Sequence, residues 1–140
     1  MRPIRSLLPF LSILLIGGSA TLALSGSSSG NLQGAWADPS MDCGTVFSQT
    51  GKGVTFKKPP DPFANAFIIS GRRLTTPGAS CQIQSIKAVE NGRRRLSLSC
   101  ATSVAVDPAS VELAVASDGS LERYSSATDR TGSRYLRCFP

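Results

Sequence analysis

The segment Cys81–Thr102, CQIQSIKAVENGRRRLSLSCAT, reads as two runs of strand formers joined by Asn91-Gly92. An Asn-Gly pair accepts positive φ at both central positions of a type I′ turn, whose twist matches that of two antiparallel strands. The segment is therefore a β-hairpin, Cys81 to Glu90 against Arg93 to Thr102. With Asn91 and Gly92 as the two central turn residues, Cys100 faces Ile83 and lies diagonal to Cys81, both sulfurs on one face. A small register shift brings the pair into bonding geometry.

The flanks continue in the same style. Upstream, Leu32, Gly34 and Trp36 alternate, Val46-Phe47 runs toward the Thr50–Gly53 turn, and Val54 and Phe56 precede a loop at Pro59-Pro60-Asp61-Pro62. Phe67 to Ser70 then turns at Gly71 into Arg72 to Thr76, which Pro77-Gly78 closes. Downstream, Asp107-Pro108 is expected to break the chain, Val111, Leu113 and Val115 alternate, and Asp118-Gly119 turns into Leu121 to Ser125. Ser133 to Phe139 is the last strand. No helical stripe exceeds a turn or two. Eight to ten short strands predict an all-β antiparallel meander, and closing it into a small barrel removes the exposed edges.

The beginning of the chain reads as an address. Arg2 and Arg5 precede an apolar run from Leu7 to Ile16, and small residues follow from Gly17 to Ala23. This is the pattern of an export signal over residues 1–24, leading to the periplasm or outside the cell. Residues 25–31, SGSSSGN, form a flexible Gly/Ser linker, and residues 32–140 are the folded domain. No cysteine lies near the cleavage region, so a lipid-modified N-terminus is not indicated. Losing Arg2 and Arg5 lowers the net charge from +6 to +4, a mild excess that does not point to nucleic acid.

Four cysteines in an exported chain make two disulfides, with three possible pairings. The hairpin joins Cys81 to Cys100, which leaves Cys43 for Cys138 and ties the first and last parts of the domain together. A thiolate metal site wants cysteines two to four residues apart, whereas the closest two here are 19 apart, so no metal is expected.

The opening Leu32-x-Gly34-x-Trp36, the meander and the basic Arg137 on the final strand together resemble the lipocalin and calycin pattern. The resemblance implies a barrel whose floor is crossed by the Trp36 indole, next to Gly34, with Arg137 lying over it. It also implies a small apolar cavity or a packed interior. In length and export signal the chain is similar to the small periplasmic inhibitors of metalloproteases, which are eight-stranded barrels. It further resembles uncharacterised exported proteins of alphaproteobacteria that share the Gly-x-Trp start, an early Cys, a middle Cys pair and a Tyr-x-Arg-Cys end, here Tyr135 to Cys138.

Function is constrained mostly by exclusion. The chain has no histidine, which removes Ser-His and Cys-His nucleophilic sites and histidine-ligated zinc. Gly-x-Ser-x-Gly is absent from residues 32–140, and Asp107, Glu112, Asp118 and Glu122 are scattered near turns or on exposed faces rather than paired. The reading is a non-enzyme without cofactor. Trp36 is a core anchor. Arg93, Arg94 and Arg95 protect a strand edge or form an anion patch, joined by Lys57, Lys58, Arg72 and Arg73 if their turns share one barrel end. Phe63 and Phe67 are expected to cap an open end, where a ligand or partner can touch them. The leading expectation is a monomeric exported binding module for a small apolar molecule or a protein partner. The alternative is a small-barrel protease inhibitor that uses its N-terminal arm.

Overall fold

The computed structural model describes residues 32–139; the expected export signal, the expected linker and Pro140 lie outside the described residues. The strands are β1 (Gly34–Ala37), β2 (Phe47–Thr50), β3 (Gly53–Phe56), β4 (Ala66–Ser70), β5 (Arg73–Thr75), β6 (Ser80–Ala88), β7 (Arg94–Ala101), β8 (Val106–Val115), β9 (Leu121–Tyr124) and β10 (Ser133–Cys138), with a single α-helical turn among the described residues, α1 (Cys43–Val46). Eight of them close into an antiparallel meander barrel in the order β1-β10-β9-β8-β7-β6-β5-β4. The remaining two, β2 and β3, form a separate hairpin. Their position outside the barrel follows from residues that β1 and β4 bury on both faces.

Trp36, Phe67 and Ile69 point inward with Leu74, Ile83, Leu96, Leu113, Leu121 and Tyr135 to make the interior core. On the outer face, Ala35, Ala37, Ala66, Ile68 and Cys138 are covered by Phe47, Val54 and Phe56 of the β2–β3 hairpin and by Val46 of α1. The alanines leave room for this flap to lie close to the wall, and the tilted rings of Phe47 and Phe56 pack with centroids 5.2 Å apart. Asp42 caps α1 by accepting the Thr45 N–H at 3.0 Å. Cys43, the first residue of that turn, is bonded to Cys138 on the barrel wall.

The central hairpin has the expected turn and a different register. Asn91 (φ 60°, ψ 32°) and Gly92 (φ 69°) adopt the left-handed values of a type I′ turn, and the Arg93 N–H donates to Glu90 O at 3.2 Å. On the return side, however, Val89 rather than Glu90 donates to Arg93 O, at 2.9 Å. Lys87 consequently faces Arg95. A bulge between Ile83 and Ser85 shifts the register once more, so that Cys81 stands directly opposite Cys100 and not on its diagonal. Arg72 serves this bulge, donating from Nη2 to Ile83 O at 2.8 Å and to Gln84 O at 2.7 Å. Cys81 and Cys100 are bonded. The two disulfides leave no free cysteine, which fits an oxidising, extracytoplasmic compartment.

Asp107-Pro108 does not interrupt the chain; β8 runs through it, with Pro108 opposite Ser99. Over this stretch β8 pairs only with β7, because β9 begins its pairing at Glu112. A proline is tolerated where a strand has one neighbour, and there it blunts the open edge.

Candidate functional site

The barrel has two unlike ends. At the floor, Trp36 is fully buried and its indole N–H donates to Leu32 O at 2.9 Å. Trp36 faces Arg137 across the β1–β10 ladder, and the guanidinium carbon lies 4.4 Å from the indole centroid. Arg137 also donates to Gln33 O. Gly34 is required for this approach: a Cβ there would stand 3.0 Å from Arg137 Nη1, and its φ of +131° disfavours side chains. Gln33 closes the floor further by holding both backbone groups of Gly71, accepting at 2.7 Å and donating at 3.1 Å.

The opposite end is open. A cleft of about 480 Å³ enters the barrel between the Pro77-Gly78 turn, the loop that carries Pro62 and Ala64, and the first half of β8. Its walls are Phe67, Leu74, Leu98, Leu113 and Tyr135, with the Cys81–Cys100 disulfide on one side. All five side chains are inward-facing positions of different strands, which alternation brings together. The size is that of an ordinary small-molecule site.

Tyr135 fixes the mouth. Its ring meets Phe67 edge-on at 5.0 Å, and its hydroxyl donates to Asn65 Oδ1 at 2.6 Å. Asn65 donates in turn to Asp38 Oδ2 at 3.3 Å, while its carbonyl accepts the Asp38 N–H at 3.0 Å. The Ser40 hydroxyl is the main cause that holds the Asp38 carboxyl below its usual range. This chain of bonds ties the loop before β4 to the end of β1 and to β10.

Arg123 of β9 also lines the cleft, the single charged residue among the described residues that do so. Leu121, two positions earlier, is fully buried in the core, so strand alternation turns Arg123 inward as well. The sequence reading passed over Arg123, although the pattern Leu121-x-Arg123 already carried the signal: a basic residue at an inward-facing position.

The arginine run is split by the same alternation. Arg93 is buried against the outer wall: its guanidinium carbon is 3.4 Å from the Tyr124 ring centroid, Nη2 donates to Asp129 O at 2.8 Å, and Nη1 lies 3.6 Å from Glu112. Arg95 pairs with the same carboxylate, at 3.0 Å from Nε and 2.6 Å from Nη2. Arg94, between them, occupies the opposite face and is half-buried. Glu112, placed by sequence among scattered or exposed carboxylates, is 5% exposed, because two arginines and Tyr124 close over it. The proposed anion patch is accordingly divided. Arg72 is bound to the bulge carbonyls, Arg73 is exposed at the floor end, and Lys57 and Lys58 are exposed where the chain leaves β3. The turns carrying Arg72 and Arg93 share the floor end, while the loop that starts at Lys57 leads to the mouth.

The two phenylalanines separate as well. Phe63 is 89% exposed at the mouth, whereas Phe67 is buried in the β4 wall and belongs to the cleft rather than to a cap over it. Val104 of the β7–β8 connection and Val106 at the start of β8 are further exposed apolar residues at this end.

No family model matches the sequence, and no curated protein or solved structure matches it either.

Proposed function

We propose that this protein is an exported, non-enzymatic binding module, a lipocalin-like barrel that holds a small apolar molecule in the cleft at its mouth. The observation that carries this reading is the asymmetry of the barrel. One end is sealed by Trp36 and Arg137, and the other opens into an apolar cleft of about 480 Å³ bounded by rigid strands. A cleft preformed on strands costs little ordering on binding. Two disulfides and the Tyr135-Asn65-Asp38 chain support the same reading, since they hold the walls and rim in place.

The test uses the disulfide-intact exported protein and a neutral apolar fluorophore, N-phenyl-1-naphthylamine. Saturable binding of one probe per chain is expected, with loss of binding in Leu98→Trp, which fills the cleft. Absence of saturable binding, or binding undiminished in a folded Leu98→Trp variant, overturns the proposal. Mass spectrometry of the protein under native conditions, before any delipidation, would identify a co-purified occupant directly.

A further inference from the structure

We infer that the cleft selects single-chain carboxylic acids, with Arg123 holding the carboxylate at the rim and the alkyl chain lying against Phe67, Leu74 and Leu98. This inference rests on the reading of the cleft as the binding site and specifies its ligand. Arg123 faces Leu113 on β8 and Ser133 on β10, which puts its guanidinium at the boundary between the buried wall and solvent. The side chain is exposed, so a polar head bound there keeps contact with water while the tail is buried.

Two further observations make the guanidinium a recognition group. First, Arg123 makes no side-chain hydrogen bond or ion pair with another described residue, whereas Arg72, Arg93, Arg95 and Arg134 are all engaged by carbonyls or carboxylates. Second, no aspartate or glutamate is among the described residues that line the cleft, so none of them competes for the charge. A guanidinium presents parallel N–H donors that match the two oxygens of a carboxylate. One such group balances one negative charge, which suits a carboxylate better than a phosphate monoester carrying close to two. An otherwise apolar site with a single cation gives no return to a cationic head, and a neutral alcohol would use only part of the donor fork.

The experiment compares dodecanoate with 1-dodecanol as competitors of N-phenyl-1-naphthylamine on the disulfide-intact exported protein, alongside Arg123→Gln. Dodecanoate is expected to bind about tenfold or more tightly than dodecanol, as one charge-assisted pair provides. Arg123→Gln should bring dodecanoate down to about the level of dodecanol and weaken dodecanol far less than dodecanoate. Equal affinities in the parent protein, or a dodecanoate advantage that survives in Arg123→Gln, overturn the carboxylate assignment while leaving an apolar binding cleft. If neither compound displaces the probe, or the probe itself does not bind, the cleft reading falls and the carboxylate assignment with it.

Discussion

Arg137 lies over the indole of Trp36, its guanidinium carbon 4.4 Å from the ring centroid, and the two residues are direct partners across the β1–β10 ladder. The geometry depends on which way Cys138 points. Because Cys138 turns outward to meet Cys43 beneath the flap, Arg137 must turn to the inner face, where Trp36 is. Closure of the barrel by β1 and β10 thus fixes the floor and the flap in one step.

Trp36→Ala should cost about 3 to 5 kcal/mol, as removal of a fully buried aromatic does. Arg137→Ala should cost about 1 kcal/mol, since the contact sits at an exposed end of the barrel. In a double-mutant cycle by urea denaturation, the coupling should exceed about 0.5 kcal/mol. Additive losses would mean that the cation contributes nothing to the indole's stability.

The flap offers a separate prediction. Cys43–Cys138 spans 95 positions, and on the chain-entropy view such a loop is worth about 4 to 5 kcal/mol. Replacing both cysteines by serine should lower stability by about that amount and free the β2–β3 hairpin from the wall. Amide exchange at Phe47 and Phe56 should then accelerate more than exchange at Leu96 in β7. Uniform acceleration along the chain would show that the flap and the barrel unfold as one unit.

What could be read from sequence were features governed by local chemistry. Asn91-Gly92 demanded its turn, and alternation around Trp36 and Leu113 announced strands. Features set by neighbours were hidden. The bulge at Gln84 depends on Arg72, which reaches from the preceding turn to the carbonyls of Ile83 and Gln84. Pro108 looked like a strand breaker, because nothing in its own vicinity reveals that β8 has a single neighbour there. The burial of Glu112 likewise needs Arg93 from the hairpin turn and Tyr124 from β9. The flap could not be told from barrel strands, since Phe47 and Phe56 have the same alternating pattern whether they point into a barrel or onto its outside. Arg123 was legible in principle: its parity with Leu121 fixes its face.

The loop between β9 and β10 should loosen in acid. Asp129 accepts the backbone N–H groups of Ser125 and Thr131, each at 3.0 Å, together with the Ser125 hydroxyl, and the backbone bond from Ser125 is the leading cause of its lowered pKa. A carboxylate with a folded pKa below its unfolded value contributes stability above the unfolded value, 3.8, and loses it as pH falls through the folded one. Exchange at the Ser125 and Thr131 amides should therefore rise below about pH 4. In Asp129→Ala it should be fast at every pH. A parent protein whose amides stay protected in the protonated state would show that the loop is held by other contacts.

Tyr124 predicts the opposite limb. Its hydroxyl donates to Glu122, and that bond, ahead of burial, pushes the phenol above its usual value of 10.0. A raised folded pKa means that the stabilisation is fully present below pH 10 and is lost as pH rises through the folded value. Ultraviolet difference absorbance in a Tyr135→Phe background should place the Tyr124 midpoint above 10.0, and Glu122→Gln should bring it down. A midpoint unchanged by Glu122→Gln would remove that bond as the cause.

The sharpest stability test concerns Glu112, which two arginines share on the outer wall. Its side chain is 6% exposed, that of Arg93 10% and that of Arg95 44%, so the cluster grades from buried to solvated. Removing the carboxylate leaves Arg93 buried beside Tyr124, with the Asp129 carbonyl still accepting from it but no carboxylate against its charge. Glu112→Ala should then cost about 3 to 5 kcal/mol, the penalty of an uncompensated buried charge. Arg95→Ala should cost under about 1 kcal/mol, because a half-exposed ion pair is screened and its loss leaves Glu112 still facing Arg93. The combined Arg93→Met, Glu112→Met variant separates charge from packing. If electrostatic compensation is the point of the cluster, removing both charges should restore most of what Glu112→Ala loses. A double variant as unstable as Glu112→Ala would instead assign the stability to the guanidinium stacked on Tyr124 and to its bond with the Asp129 carbonyl. In that event Arg93 holds the β9–β10 loop to the barrel, whatever its partner carboxylate does.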